Sequence, residues 1–98
     1  MTHVLKILPE YFEAVKDGIK TFEIRKNDRD FKVRDFIVLR EWNGDYTGRF
    51  YVGRISYIID NPEYVKDGYV VFSFIKAPHK WKLVNEGAEI RAVLMCED

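Results

Sequence analysis

The sequence predicts one small, mainly β domain of the α+β type, spanning residues 1–98: a β-barrel of five or six short strands with an early helix packed at one end. Three observations predict it. At 98 residues the chain is long enough for one core and too short for two of ordinary size. Its hydrophobic share of 47% and aromatic share of 15% belong to a folded chain and argue against disorder. After a single short helical pattern, apolar residues recur at a spacing of two, in runs broken by Asn, Asp, Gly and Pro. Small strand-rich domains protect their edges by closing into a barrel or by packing two sheets, and a helix can plug one end.

The elements follow in order. Val4 to Leu8 is aliphatic and short, which favours a strand. Pro9 and Glu10 start a helix, since proline is tolerated in the first turn and an acid there suits the helix dipole. Phe12, Val15 and Ile19 are spaced to share one face, and Gly18 caps the end, so the helix has two to three turns. So short a helix must be held by packing against a sheet. From Thr21 the period is two: Phe22 and Ile24 point one way, Thr21, Glu23 and Arg25 the other. Phe31, Val33 and Asp35 lead into a strand over Phe36 to Trp42, of strong β propensity. Asn43-Gly44-Asp45 is a turn, and Arg49 to Ile59 returns, with Gly53 marking a bulge or barrel bend. Asp60-Asn61-Pro62 stops it, and Glu63 to Gly68 forms a helical turn or an extended loop. Tyr69 to Ile75, nearly all apolar, reads as a strand buried on both faces or at a barrel centre. Lys76 to Lys82 reads as a loop, Ala88 to Met95 as a final strand, and Glu97 and Asp98 as a frayed end.

Composition excludes several classes. Sixteen Lys and Arg balance sixteen Asp and Glu, so this is no polyanion binder whose whole surface attracts; a local patch is still allowed. One cysteine, Cys96, leaves no intrachain disulfide and no cysteine-rich metal cage, and with no base to assign to it Cys96 is not read as a catalytic thiol. His3 and His79 lie far apart, so no metal site and no cofactor is expected; no phosphate-binding glycine loop or dinucleotide fingerprint occurs. No apolar run approaches the roughly 20 residues of a membrane helix, and the expected setting is soluble, reducing and cytoplasmic, with no membrane partner.

The densest chemistry lies in Gly18-Ile19-Lys20-Thr21-Phe22-Glu23-Ile24-Arg25. Alternate residues on one strand face sit about 7 Å apart, so long side chains can meet. If that face lines a cleft, an ammonium, a carboxylate and a guanidinium surround one small space. Arg25 and Lys20 would then hold a phosphate, or Glu23 and Arg25 a base edge. The plainer alternative is a solvated face on which Glu23 and Arg25 merely pair, worth at most about 1 kcal/mol. Spacing alone favours that alternative.

The pattern Gly18-x-Lys20-x-x-Glu23-x-Arg25 resembles the signature of the ASCH domain, a branch of the PUA-like barrel superfamily. Leu5 to Phe12 before it and Phe31 to Asp35 after it resemble a compact bacterial and phage ASCH-like subfamily of unknown function. Gly68 to Phe72 adds a weaker match, and little resemblance extends beyond Lys76. Arg34 departs from the pattern, standing where related sequences usually carry glycine in a turn. The resemblance implies a PUA-like barrel with Lys20, Glu23 and Arg25 near the mouth of a cleft, and RNA, a nucleotide or a nucleoside as ligand. A smaller ASCH group resembles amidohydrolases acting on acylated cytidine with a lysine, a nucleophilic threonine and a separate glutamate. Lys20 matches their lysine, but Glu23 occupies the threonine's position, and Thr21 is two residues away from it. A carboxylate is a poor substitute for an activated hydroxyl, though Glu23 can serve as a general base for water.

Lys16, Lys20, Arg25, Lys26, Arg29, Lys32 and Arg34 make the segment after the helix basic, and Lys76, His79, Lys80 and Lys82 form a second group around Trp81. Cations beside an exposed ring suit single-stranded nucleic acid, where stacking one base is worth about 1–3 kcal/mol. Trp81 suits stacking and packing equally. Trp42, Phe50, Tyr51 and Tyr57 read as barrel fillers and rim. The leading expectation is a noncatalytic RNA- or nucleotide-binding module using Lys20, Glu23, Arg25, Lys26, Lys80 and Trp81. The alternatives are a small hydrolase of a modified nucleoside, with Lys20 and Glu23 central and Thr21 auxiliary, and a protein-interaction domain with no nucleic-acid role.

Overall fold

The computed structural model describes residues 1–87 and 89–95. Ala88, the expected start of the last strand, and Cys96, Glu97 and Asp98 lie outside the described residues. The elements run β1 (Thr2–Ile7), α1 (Pro9–Lys16), β2 (Phe22–Lys26), β3 (Phe36–Trp42), β4 (Tyr46–Ile59), β5 (Tyr69–Lys76), β6 (Trp81–Glu86) and β7 (Glu89–Leu94). The described residues therefore form seven strands, not five or six. The strand beyond six is β6, which begins inside the segment expected to be loop and pairs with β7, the expected final strand.

Strands one to five make one curled sheet in the order β1-β3-β4-β5-β2, a half-barrel. β1 runs parallel to β3, with Leu5 opposite Leu39; the other neighbours are antiparallel. Its concave side holds the main core. Phe12 and Val15 of α1 press onto Ile37, Leu39, Phe72 and Phe74. Burying each such side chain contributes roughly 1.5–3 kcal/mol, and this packing holds a helix of eight residues that would not persist alone. Pro9 opens the helix as expected, while Asp17 caps it and Gly18 follows at φ 74°. Ile19 has already left the helix and is exposed.

β3 is buried on both faces. Ile37 and Leu39 face the main core, whereas Val38 joins Val52 and Ala77 in a second cluster. The hairpin covers that second cluster with Trp81, Leu83 and Ala92. β5 is not buried on both sides but alternates: Val70, Phe72 and Phe74 point inward, and Ile75 is 62% exposed on the convex side. The bulge in β4 falls between Ile55 and Tyr57 and not at Gly53. Gly53 sits at a close approach: a Cβ there would lie 3.1 Å from the Phe74 ring, 3.2 Å from the Tyr51 ring and 3.3 Å from Ile37, so these side chains would have to shift.

The half-barrel is open between its two edge strands, β1 and β2, which do not pair. Two arginines cross that seam. Arg25 donates from Nη2 to the Lys6 carbonyl at 2.7 Å, and Arg29 donates from Nη1 to the Val4 carbonyl at 2.8 Å. No helix among the described residues is long and apolar enough to cross a membrane.

Candidate ligand-binding site

The seam widens near α1 into a hollow of about 490 Å³, within the range of small-molecule sites. The end of β1, Tyr11 of α1, the Lys20 turn and β2 form its walls. The faces of β2 are the reverse of what its apolar spacing suggests. Phe22 and Ile24 stand exposed, Ile24 at 60%, while Glu23 is buried with only 4% of its surface accessible. The inward carboxylate meets two cations. The solvated-face alternative is thereby corrected.

Glu23 accepts from Lys20 Nζ at Oε1 and from Arg25 Nε at Oε2, the latter at 2.7 Å. Lys20 Nζ also donates to the Phe22 carbonyl at 2.7 Å and lies 5.1 Å from the Phe22 ring and 5.8 Å from Tyr11. Arg25 anchors itself through the Lys6 carbonyl. A buried carboxylate is tolerated only when paired and hydrogen-bonded, and here both oxygens are. One carboxylate against two cations leaves a net positive charge at the floor. Both cations keep partial access to solvent, with side-chain exposures of 18% and 23%. Two of the five Arg25 N–H donors are used among the described residues. The rim is apolar: Leu8, Tyr11, Phe22 and Ile24 are all exposed.

The other expected site residues fall elsewhere. Thr21 precedes β2, is exposed, and is absent from the walls of the hollow; its carbonyl accepts from the Phe74 N–H at 3.1 Å. Lys26, at the end of β2, lines a smaller cleft along the seam with Asp28 and Arg29. Lys80 and Trp81 line a different hollow altogether. Trp81 is half-buried: it donates from Nε1 to the Pro78 carbonyl at 2.9 Å and packs against Phe36 at 5.5 Å.

Sequence reading missed the burial of His3, Asp35 and Glu41. His3 donates from Nε2 to Asp35 Oδ2 at 2.7 Å, and its ring lies 4.6 Å from Phe31. The two residues are 32 positions apart, and only the parallel β1–β3 register brings them together. Among the described residues, no three His, Cys, Asp or Glu side chains are grouped to hold a metal ion.

A family model described as a domain of unknown function (DUF3850) matches residues 2–74, which covers β1 to the inner part of β5 and all of the hollow's walls. The chain belongs to that family. The matched stretch stops short of the β6–β7 hairpin. A relative from Escherichia phage P2, an uncharacterized 12.9 kDa protein in the GpA 3′ region, is 36% identical over 66 residues. The match takes in 66% of this chain and spans 61% of the phage protein's length.

Proposed function

We propose that this DUF3850 chain binds a nucleotide unit, free or within an RNA strand, in the hollow around Glu23. The observation that carries the reading is a buried carboxylate clamped between Lys20 and Arg25 beneath an exposed apolar rim. The clamp fixes both cations and leaves excess positive charge, which suits a phosphate. Tyr11 and Phe22 offer rings for a flat base, and stacking on such a ring contributes about 1–3 kcal/mol. The ASCH-like signature and its PUA-like barrel are part of the same proposal. A half-barrel with an early helix at its mouth and the motif residues beside it supports them.

The hydrolytic alternative has less support. Thr21 lies outside the hollow, and both Glu23 oxygens are already engaged in hydrogen bonds from cations, so neither is free to take up a water.

Calorimetric titration with adenosine monophosphate and a short oligouridylate at low salt tests the proposal. Lys20→Ala and Arg25→Ala are each expected to weaken binding about tenfold or more, the loss of one charge-assisted hydrogen bond. Affinity unchanged in both variants would remove this hollow from consideration. Turnover of acylated nucleosides that disappears in Glu23→Gln would instead favour the hydrolase.

A further inference from the structure

A second hollow, of about 520 Å³, lies on another flank of α1. Phe12 and Lys16 of the helix, the middle of β4, and the segment from Lys76 to Trp81 enclose it. Its charge is one-sided. Lys16, Arg49, Lys76 and Lys80 line it together with His79, and no Asp or Glu among the described residues does. In a chain with a net charge of zero, that concentration of one sign focuses a field.

Among the described residues, ion pairs serve two of the four cations, Lys16 lying also 3.7 Å from Asp17 Oδ1. Glu13 accepts from Arg49 Nη2 at 2.6 Å and pairs with Lys16 Nζ at 3.0 Å, and Glu41 lies 3.7 Å from Arg49 Nε. Lys76, His79 and Lys80 have no ion pair among the described residues.

The segment that carries them is pinned. The Ala77 N–H donates to the Val52 carbonyl at 3.0 Å, Trp81 bonds to Pro78, and the Met95 N–H donates to the Lys80 carbonyl at 2.9 Å. His79 holds φ 74°, a left-handed conformation that a residue with a side chain adopts only where its surroundings enforce it. The backbone that presents the cations is thus held in place, while the Lys76 and Lys80 side chains stand exposed. Tyr51, half-buried in the same wall, has its phenol pushed up by burial, so it faces the hollow as a neutral hydroxyl and adds no negative charge.

We propose that this hollow is a second binding site, taking a phosphate ester through Lys76 and Lys80. It goes beyond the Glu23 site and does not depend on it. Tyr11 of α1 lines one hollow and Phe12 and Lys16 the other, and the same helix carries Glu10 and Glu13 with Asp17 at its end, so a single polyanion crossing it would meet like charge. The two sites fill separately.

Trp81 borders the hollow and is one of two tryptophans, so Trp42→Phe isolates its emission. Titration of that variant with inorganic phosphate, adenosine monophosphate and a short oligouridylate at low salt is expected to give a saturable change. Lys76→Ala/Lys80→Ala in the same background should weaken it about tenfold or more, and Lys20→Ala should leave it intact. Backbone amide shifts of Ala77 and Lys80 in the unaltered protein provide the same reading without the Trp42 change. A response to phosphate and the mononucleotide marks a free phosphate ester; a response to the oligouridylate alone marks a strand's phosphodiester. No saturable change with any of the three probes at millimolar concentration, or one that the double variant retains, overturns the site. Either result is independent of whether Lys20→Ala abolishes binding at the other hollow.

Discussion

Arg34 holds φ 81°, a left-handed backbone that costs a residue with a Cβ about 1–2 kcal/mol relative to the right-handed region. The conformation is enforced from both sides: its N–H donates to the Ile55 carbonyl at 2.8 Å, and its own carbonyl accepts from Arg54 Nε at 3.1 Å. Glycine fits that angle without strain, so Arg34→Gly is expected to raise stability by about 1 kcal/mol, read as a higher urea midpoint at unchanged slope. A lower midpoint would show that the arginine side chain contributes more than its backbone costs. Glu23 teaches the complementary lesson at the same scale. Its spacing from Lys20 and Arg25 was legible as a motif, but its burial was not. Which face of an edge strand turns inward depends on the helix and sheet curvature opposite it, and neighbouring residues carry no record of that.

Among the elements, the helix and the central strands were the most legible, because Pro9, the Phe12–Val15 spacing and the apolar run of β3 are all local signals. β6 was not. Pro78 and three lysines make its approach look like a loop, and its half-buried Leu83 and Val84 become informative only once the outer face of β3 is seen to need cover. Gly53 shows the same limit. A strand glycine reads as a bend, yet here its role is clearance beneath Phe74, opposite Ile37 in the β3–β4 register. Gly53→Ala is expected to cost about 1–3 kcal/mol through overpacking, visible as a drop in thermal midpoint with an unchanged far-ultraviolet spectrum. A midpoint within error of the parent would mean that the Phe74 ring gives way freely.

Across the whole molecule, Asp35 ties the first strand to the third. It accepts from His3 Nε2, from the Lys32 N–H at 3.0 Å and from the Met1 ammonium at 3.2 Å. Burial alone would push its carboxyl up; the His3, Lys32 and Met1 donors overcome that and hold it below the usual range. A depressed folded-state pKa adds stability that is complete above the unfolded value, near pH 4, and lost as pH falls through the folded one. Asp35→Asn is therefore expected to lower stability by about 1–3 kcal/mol at neutral pH and to shrink the difference from the parent in strong acid, as urea melts across the acid range would read. A constant gap at every pH would show that titration of this carboxyl plays no part.

The seam between β1 and β2 has a mechanical consequence. Everywhere else around the curled sheet, parting two neighbours means breaking a ladder of backbone bonds at once. At the seam, only the clasps from Arg25 and Arg29 need let go, and side chains swing on a far shorter timescale than strands unzip. The wall beside Glu23 is thus the one place where this half-barrel yields to a bulky guest without unfolding, and one of its two latches is a residue that guest would touch.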